Sequence, residues 1–231
     1  MKSFQHSDWE QIQLVIFDVD GTLYNQKLLR LYMMFELLKH TCIQPDLSIF
    51  PIIKNYRLIR EQVGEEELFD FEQHLIQKTS DVTGCSKEKI NTTIDDWIEN
   101  KPLKYLMRCK YKGLNALFSA LKRKGKLIGI LSDYRADEKM RALNLNADFI
   151  VHAGDKSVNV LKPHPQGLFF LINKAGVSTA NTILIGDRND RDGEAANRAG
   201  VKCLIRSAET NKNLQTFVNF DDAIFNPILL G

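Results

Sequence analysis

The chain has 231 residues, of which 44% are hydrophobic and 26% are charged, and its formal net charge is +2. This composition can bury a core of domain size, which excludes an intrinsically disordered chain. The near-neutral charge gives no reason to expect nucleic acid or an anionic membrane surface as a partner.

The cysteine pattern and the first residues bear on the compartment. Four cysteines lie far apart along the chain without a Cys-x-x-Cys pair, which disfavours a disulfide framework or a structural zinc site. The first residues, MKSFQHSDWEQIQ, contain no apolar stretch of signal-peptide length. No run approaches the roughly 18 apolar residues that a membrane span needs. We therefore expect a cytoplasmic protein with no membrane partner.

Short apolar runs predict the strands of a parallel sheet. The runs are LVIF at 14–17, LIGIL at 127–131, FIV at 149–151, TILI at 182–185 and CLI at 203–205. Each has the length of a strand that is buried on both faces. Helical patterns alternate with the later runs, at Leu114–Lys124, Ala136–Leu143, Pro165–Ala175 and Glu194–Ala199. This order predicts an α/β fold, with a Rossmann-like parallel sheet and helices on both faces.

A long stretch without strand patterns separates the first run from the second. It contains helical patterns at Leu28–Lys39, Ile49–Arg60, Glu65–Lys78 and Lys87–Ile98. An insertion of this length cannot be a simple crossover, so we predict a separate helical unit over residues 25–106 and an α/β core over residues 1–24 and 107–231. The segment LLRLYMMFELL is apolar nearly all round, which suits a buried helix of this unit or a subunit contact. Both a monomer and a homodimer fit this pattern.

Polar residues follow the apolar runs where the strands should end. The segments in question are Asp18-Val19-Asp20-Gly21-Thr22 after the first run, Ser132-Asp133 after the second, Lys162 in the loop after the third, and Gly186 to Asp192 after the fourth. Each feature taken singly is equally typical of a turn, a helix cap or a solvated charge. The carboxyl ends of parallel strands, however, meet at one edge of the sheet, where ligands bind. Their convergence therefore favours a catalytic site.

The residue types at this edge suit the transfer of a phosphoryl group. Asp18 and Asp20 lie at i and i+2 of an extended chain and project to the same side. A carboxylate can accept a phosphoryl group covalently, and its attack on a phosphate dianion requires a divalent cation. Oxygen ligands from Asp18 and Asp187 suit Mg²⁺. Ser132 can donate a hydrogen bond, and Lys162 can place a positive charge on the transferring group.

The same residues lie in motifs that resemble those of a known superfamily. VIFDVDGTLY is similar to the first motif of the haloacid dehalogenase superfamily, ILSD to the second, LKPHP to the third and IGDRNDRD to the fourth. The order and spacing match over about residues 14–206, and the insertion resembles the α-helical cap that follows the first motif in part of that superfamily. The resemblance implies a Mg²⁺-dependent phosphatase that acts on a small phosphorylated metabolite.

The resemblance also implies catalytic roles. Asp18 would be the nucleophile, and Asp20 would be the general acid and then the general base. Ser132 would bind the phosphoryl group, and Lys162 would neutralise its charge. The predicted substrate-binding residues are Gly21, Thr22 and Asp133. Gly21 would let the backbone approach the phosphate closely.

The predicted metal site combines four acidic residues. Asp18 and Asp187 would bind Mg²⁺ directly, and the backbone carbonyl of Asp20 would complete the site. Asp192 would support it from the outer shell, although Asp190 in the same loop is an alternative partner for Asp187.

Asp133 and Asp20 leave alternatives to consider. Many relatives carry Asn where this chain has Asp133, and an inward carboxylate would repel a phosphate. It could instead present only its backbone N–H, or hold the lysine. Asp20 argues against a dehalogenase, because a halide leaving group needs no proton. A phosphomutase acting on a sugar phosphate keeps the same acid pair and is the alternative, followed by a non-catalytic binding protein that retained the fold.

Overall fold

The computed structural model of the protein describes residues 6–208 and 215–230. Within these residues the core is a six-stranded parallel sheet with the order β3-β2-β1-β4-β5-β6. The strands are β1 (Leu14–Phe17), β2 (Leu127–Ser132), β3 (Phe149–His152), β4 (Thr182–Gly186), β5 (Lys202–Arg206) and β6 (Thr216–Phe217). The five predicted strands are confirmed. The two-residue strand β6 was not predicted, because two residues are too short for a recognisable pattern.

The position of β1 inside the sheet explains why its sequence is continuously apolar. Val15 and Phe17 pack into the apolar cluster on one face of the sheet, and Leu14 and Ile16 pack into the cluster on the other. Successive side chains of a strand point to opposite faces, so a strand covered on both sides needs apolar residues at every position.

Helices cover both faces of the sheet, as predicted. Within the described residues, the α-helices outside residues 26–100 are α1 (Asp8–Gln11), α6 (Leu103–Cys109), α7 (Leu114–Arg123), α8 (Asp137–Ala142), α9 (Gln166–Ala175), α10 (Glu194–Ala199) and α11 (Asn226–Leu229). Leu117 of α7 and Met140 of α8 pack on the face that holds Phe17. Leu171 of α9 and Ala195 of α10 pack on the opposite face. The Rossmann-like α/β class is therefore confirmed.

The stretch between β1 and α6 is helical. Its helices are α2 (Gln26–Ile43), α3 (Ile49–Glu66), α4 (Phe71–Thr83) and α5 (Lys87–Ile94), followed by a π-helical turn at Asp95–Asn100. Helices α3 to α5 share an apolar cluster around Ile52, Phe71 and Ile90, which Leu161 of the core also joins. Helix α2 instead packs Leu29 against the core cluster. The division at residues 25 and 106, and the role of the insertion as a cap, stay predictions.

One predicted helix in the insertion has the wrong boundaries. The pattern at Glu65–Lys78 predicts a continuous helix, but the helical conformation is interrupted between α3 and α4. Glu67 and Asp70 have φ values of 51° and 54°, a left-handed conformation that an α-helix cannot contain. No helix within the described ranges has the length and the apolar character needed to cross a membrane.

Candidate active site

The predicted site residues meet at the carboxyl edge of the sheet. Asp18 follows β1 directly, and its backbone N–H donates to the carbonyl of Ile185 in β4, 2.9 Å away. A cavity of about 480 Å³ opens here between the sheet and helices α2 and α3. Its lining includes most of the predicted residues, namely Asp18, Asp20, Asp133, Lys162, Asp187 and Asp192. Gly21, Thr22 and Ser132 are buried beside them.

Lys162 joins two of the acidic residues. Its Nζ lies 2.6 Å from Oδ1 of Asp18 and 2.6 Å from Oδ1 of Asp192, and the residue is only 4% exposed. Burial by itself would lower the pKa of Lys162, but the two carboxylates raise it well above its usual value. Burial raises the pKa of Asp18 well above its usual range, an effect that Lys162 opposes and Asp192 reinforces. Lys162 therefore carries a charge that partly neutralises a strongly acidic pocket.

Asp18, Asp187 and Asp192 form a group that fits a divalent cation. Each offers a carboxylate oxygen, and these oxygens lie within 4.8 Å of one another. Burial, with help from Asp192, raises the pKa of Asp187 to about 7, as expected for crowded carboxylates. Hard oxygen donors of this kind suit Mg²⁺. The chemistry of the donor set therefore fits the predicted metal.

The loop after β4 distinguishes between the two possible partners of Asp187. Oδ2 of Asp192 accepts hydrogen bonds from the backbone N–H groups of Asp187, at 3.2 Å, and of Arg188, at 3.1 Å. Asp190 instead forms an ion pair with Arg188, at 2.5 Å. Asp192 thus lies with Asp187 at the candidate metal site, and Asp190 points to a different partner.

Gly21 is required by the close approach of Asp187. Its φ is +98°, a conformation that side chains disfavour. A Cβ atom at this position would lie 2.1 Å from Oδ2 of Asp187. Glycine therefore lets the backbone after Asp20 pass directly beside a candidate metal ligand.

Asp20 has a cationic partner that the sequence did not reveal. Nζ of Lys139 lies 2.8 Å from each carboxylate oxygen of Asp20, and the Tyr24 hydroxyl donates to Oδ1. Burial would raise the pKa of Asp20, but Lys139 and Tyr24 together hold it below its usual value. Lys139 is 4% exposed although it belongs to a short charged helix. The sequence predicted that helix, but nothing in its pattern set Lys139 apart from its neighbours.

The remaining predicted residues support their neighbours. The Thr22 hydroxyl donates to Oδ2 of Asp18 at 2.8 Å, which orients the carboxylate. Oγ of Ser132 accepts the backbone N–H of Tyr134 at 3.2 Å and lies 3.5 Å from Oδ2 of Asp20. Oδ1 of Asp133 accepts the backbone N–H of Lys162 at 3.1 Å. Of the alternatives for Asp133, the geometry matches the one in which it holds the lysine.

The insertion contributes charged residues to the cavity that sequence reasoning missed. Lys54 and Arg57 of α3 line it, and so does Glu61, whose carboxylate contacts Arg188 and Arg191. Arg57 forms no ion pair within the parts of the chain that the structure describes. The helical pattern of this segment was visible in the sequence, but the sequence could not show which face of α3 meets the site.

Sequence comparisons show which known proteins this chain resembles. Residues 12–200 match the family model described as haloacid dehalogenase-like hydrolase. A phosphoglycolate phosphatase of Pseudomonas syringae pv. tomato is 23% identical over 220 residues, which cover 87% of this chain and 74% of that protein.

Solved structures share the fold over nearly the whole chain. The 2-haloacid dehalogenase from Pseudomonas syringae pv. tomato DC3000 matches with a TM-score of 0.65 at 19% identity, covering 95% of this chain and 98% of that one. The HAD-hydrolase YfnB from Bacillus subtilis, whose crystal structure has magnesium bound, matches with a TM-score of 0.67 at 13% identity, covering 95% and 99%. At these sequence identities, the two matches show that the folds are similar.

Proposed function

The chain belongs to the haloacid dehalogenase-like hydrolase family, and we propose that it is a Mg²⁺-dependent phosphatase of small phosphate monoesters. The observation that carries the proposal is the second acid, Asp20, held beside the nucleophile candidate Asp18 by its own cation, Lys139. Removal of a halide would need a carboxylate nucleophile but no proton donor. An alkoxide leaving group needs a proton, which a second carboxyl group can supply. The similarity to a phosphoglycolate phosphatase also supports the interpretation that the chain is a phosphatase.

In the first half of the reaction, a carboxylate oxygen of Asp18 attacks phosphorus. The bond between phosphorus and the ester oxygen breaks, and Asp20 gives that oxygen a proton. Lys139 keeps the pKa of Asp20 low in the free enzyme. The negative charge of a bound phosphate would raise that pKa and favour the protonated form of Asp20.

In the second half, water replaces Asp18 on phosphorus. Asp20, now ionised, takes a proton from the water, whose oxygen forms a bond to phosphorus while the bond to Asp18 breaks. Inorganic phosphate leaves and Asp18 is restored. Lys162 offsets charge in both halves, since its ammonium lies 2.6 Å from Asp18.

Asp18 and Asp187, with the backbone carbonyl of Asp20, would hold Mg²⁺, and Asp192 would support the site from the outer shell. When bound, the ion supplies positive charge that offsets the repulsion between the carboxylates and the phosphate. The donor chemistry of the three carboxylates supports this assignment.

The proposed substrate is a small phosphorylated metabolite, and the proposed setting is the cytoplasm, with the protein a monomer or a homodimer. The cavity of about 480 Å³ has room for a substrate of this class. Helices α2 and α3 of the insertion form part of its wall, which supports a role for residues 25–106 as a cap.

Release of inorganic phosphate from a panel of monoesters tests the proposal. The panel contains phosphoglycolate, sugar phosphates and nucleoside monophosphates, assayed with Mg²⁺, and the Asp18→Asn protein is the control. We expect release by the wild type and none by Asp18→Asn. Chloride release from a 2-chloro acid without phosphate release would reject the proposal. Conversion of a sugar phosphate into its isomer, without free phosphate, would favour the phosphomutase alternative.

A further inference from the structure

Side chains hold both polar groups of the Lys162 backbone. Its N–H donates to Oδ1 of Asp133 at 3.1 Å, and its carbonyl accepts from Nη1 of Arg191 at 2.8 Å. Neither group belongs to a helix or a strand. The position from which the Lys162 side chain reaches Asp18 therefore depends on Asp133 and Arg191.

Two consecutive residues of helix α3 contact these two supports in turn. Nη2 of Arg60 donates to the backbone carbonyl of Asp133. Nη2 of Arg191 donates to the backbone carbonyl of Glu61 at 2.7 Å and to its carboxylate at 2.9 Å. Helix α3 thus reaches both supports of Lys162 from the insertion.

Both arginines are buried where α3 packs against the core, and the chain leaves space for one of them. Arg191 is 6% exposed and Arg60 is 7% exposed. The guanidinium of Arg60 lies 4.3 Å from the ring centroid of Tyr134. A Cβ atom at Gly64, inside α3, would lie 2.2 Å from Nη1 of Arg191. Glycine weakens a helix interior, and at this position it leaves the space that Arg191 occupies.

We propose that Arg60 and Glu61 are positioning residues for Lys162, acting through Asp133 and Arg191. Docking of α3 on the core then completes the alignment of the lysine ammonium with Asp18. When α3 is displaced, both supports lose their partners and Lys162 loses its alignment. The proposal rests on the proposed function, because the role of Lys162 on the phosphoryl group comes from there.

A second contact between the insertion and the core provides a matched control. Glu67, directly after α3, forms an ion pair with Arg198 of α10. This pair also joins a glutamate of the insertion to an arginine of the core, but the hydrogen bonds of Lys162 do not involve it. Removing the Glu67 carboxylate should therefore leave the alignment of Lys162 unchanged.

The test measures kcat and KM for p-nitrophenyl phosphate with Mg²⁺. The proteins are the wild type, Arg60→Met, Glu61→Ala, Arg191→Met, the double variant Glu61→Ala/Arg191→Met and Glu67→Ala. We expect Arg60→Met and Arg191→Met each to lower kcat by about 10- to 100-fold with a smaller change in KM, the effect of misplacing a charged group. Glu61→Ala should fall at the lower end of this range, because the backbone carbonyl at position 61 still accepts from Arg191. The double variant should resemble Arg191→Met, because the two residues act in one chain of contacts. Glu67→Ala should stay within about twofold of the wild type, because its ion pair with Arg198 is separate from the contacts of Lys162, Asp133 and Arg191.

Several outcomes would overturn the inference. An unchanged kcat in Glu61→Ala is one, and an equal loss in Glu67→Ala is another. If Glu61→Ala lowers kcat as much in the Arg191→Met background as in the wild type, the effect of Glu61 does not pass through Arg191, and its contact with Arg188 is the remaining route. Should Arg191→Met fail to fold, the comparison of Glu61→Ala with Glu67→Ala decides, because the Glu61 side chain is 50% exposed and its replacement should leave the fold intact. A wild type that hydrolyses no phosphate ester rejects the proposed function itself, whereas an active wild type with unaffected variants rejects the positioning role alone.

Discussion

Replacing Lys162 by methionine should lower both stability and turnover. The substitution removes an ammonium that lies 2.6 Å from Asp18 and 2.6 Å from Asp192, and both carboxylates are almost completely buried. Removing one partner of a buried ion pair costs about 3–5 kcal/mol. For a chain of this size that loss corresponds to a Tm lower by about 6–20 °C. Loss of one charge that stabilises the transition state should also reduce kcat by about 10²–10³-fold.

Thermal unfolding followed by circular dichroism, in buffer with a chelator, measures the stability change. Lys112→Met is the control, because Lys112 is exposed and its replacement should shift the Tm by no more than about 2 °C. Added Mg²⁺ should raise the Tm of Lys162→Met more than that of the wild type, since the cation replaces the lost ammonium among the carboxylates. If Lys162→Met melts with the control in chelator, the ion pairs with Asp18 and Asp192 do not stabilise the protein and the electrostatic reasoning is refuted.

Three further predictions concern the acid, the metal and the insertion. Asp20→Asn should slow hydrolysis by about 10²–10⁴-fold in steady-state assays, and a loss below tenfold would remove Asp20 as acid and base. Chelator should abolish hydrolysis and Mg²⁺ should restore it, while Ca²⁺ should support it poorly because its looser shell spoils the alignment; full activity in excess chelator would reject the metal site. If residues 25–106 close over the site, a small sugar phosphate should be hydrolysed far faster than a folded phosphoprotein, and equal kcat/KM values would show that the insertion does not restrict access.

The sheet and the candidate site were predictable because their signals are local. Leu14–Phe17 is apolar at every position because both faces of the strand are covered. This run can be recognised in the sequence without knowing which elements pack against it. Asp18 and Asp187 come directly after strands, so the parallel topology alone brings them to one edge.

The residues that escaped prediction act across long separations in the chain. Lys139 pairs with Asp20 from a helix after β2, and Arg191 meets Glu61 in the insertion. Such pairs depend on how separate elements pack, which neither spacing nor periodicity encodes. The interruption between α3 and α4 was not predicted for a different reason. Glu67 and Asp70 adopt a left-handed backbone conformation, which their residue types indicate less clearly than glycine does.

The central claim is that Asp18 accepts the phosphoryl group, and trapping that group on the protein tests it most directly. The wild type and its variants are mixed with Mg²⁺ and the best monoester of the panel, radiolabelled in the phosphate, then quenched in acid and mapped by peptide. We predict label on the peptide that contains Asp18, no label in Asp18→Asn, and label that persists longer in Asp20→Asn, where hydrolysis of the acyl phosphate is slowed. Label that remains in Asp18→Asn, or turnover by Asp20→Asn without label on that peptide, would contradict the account.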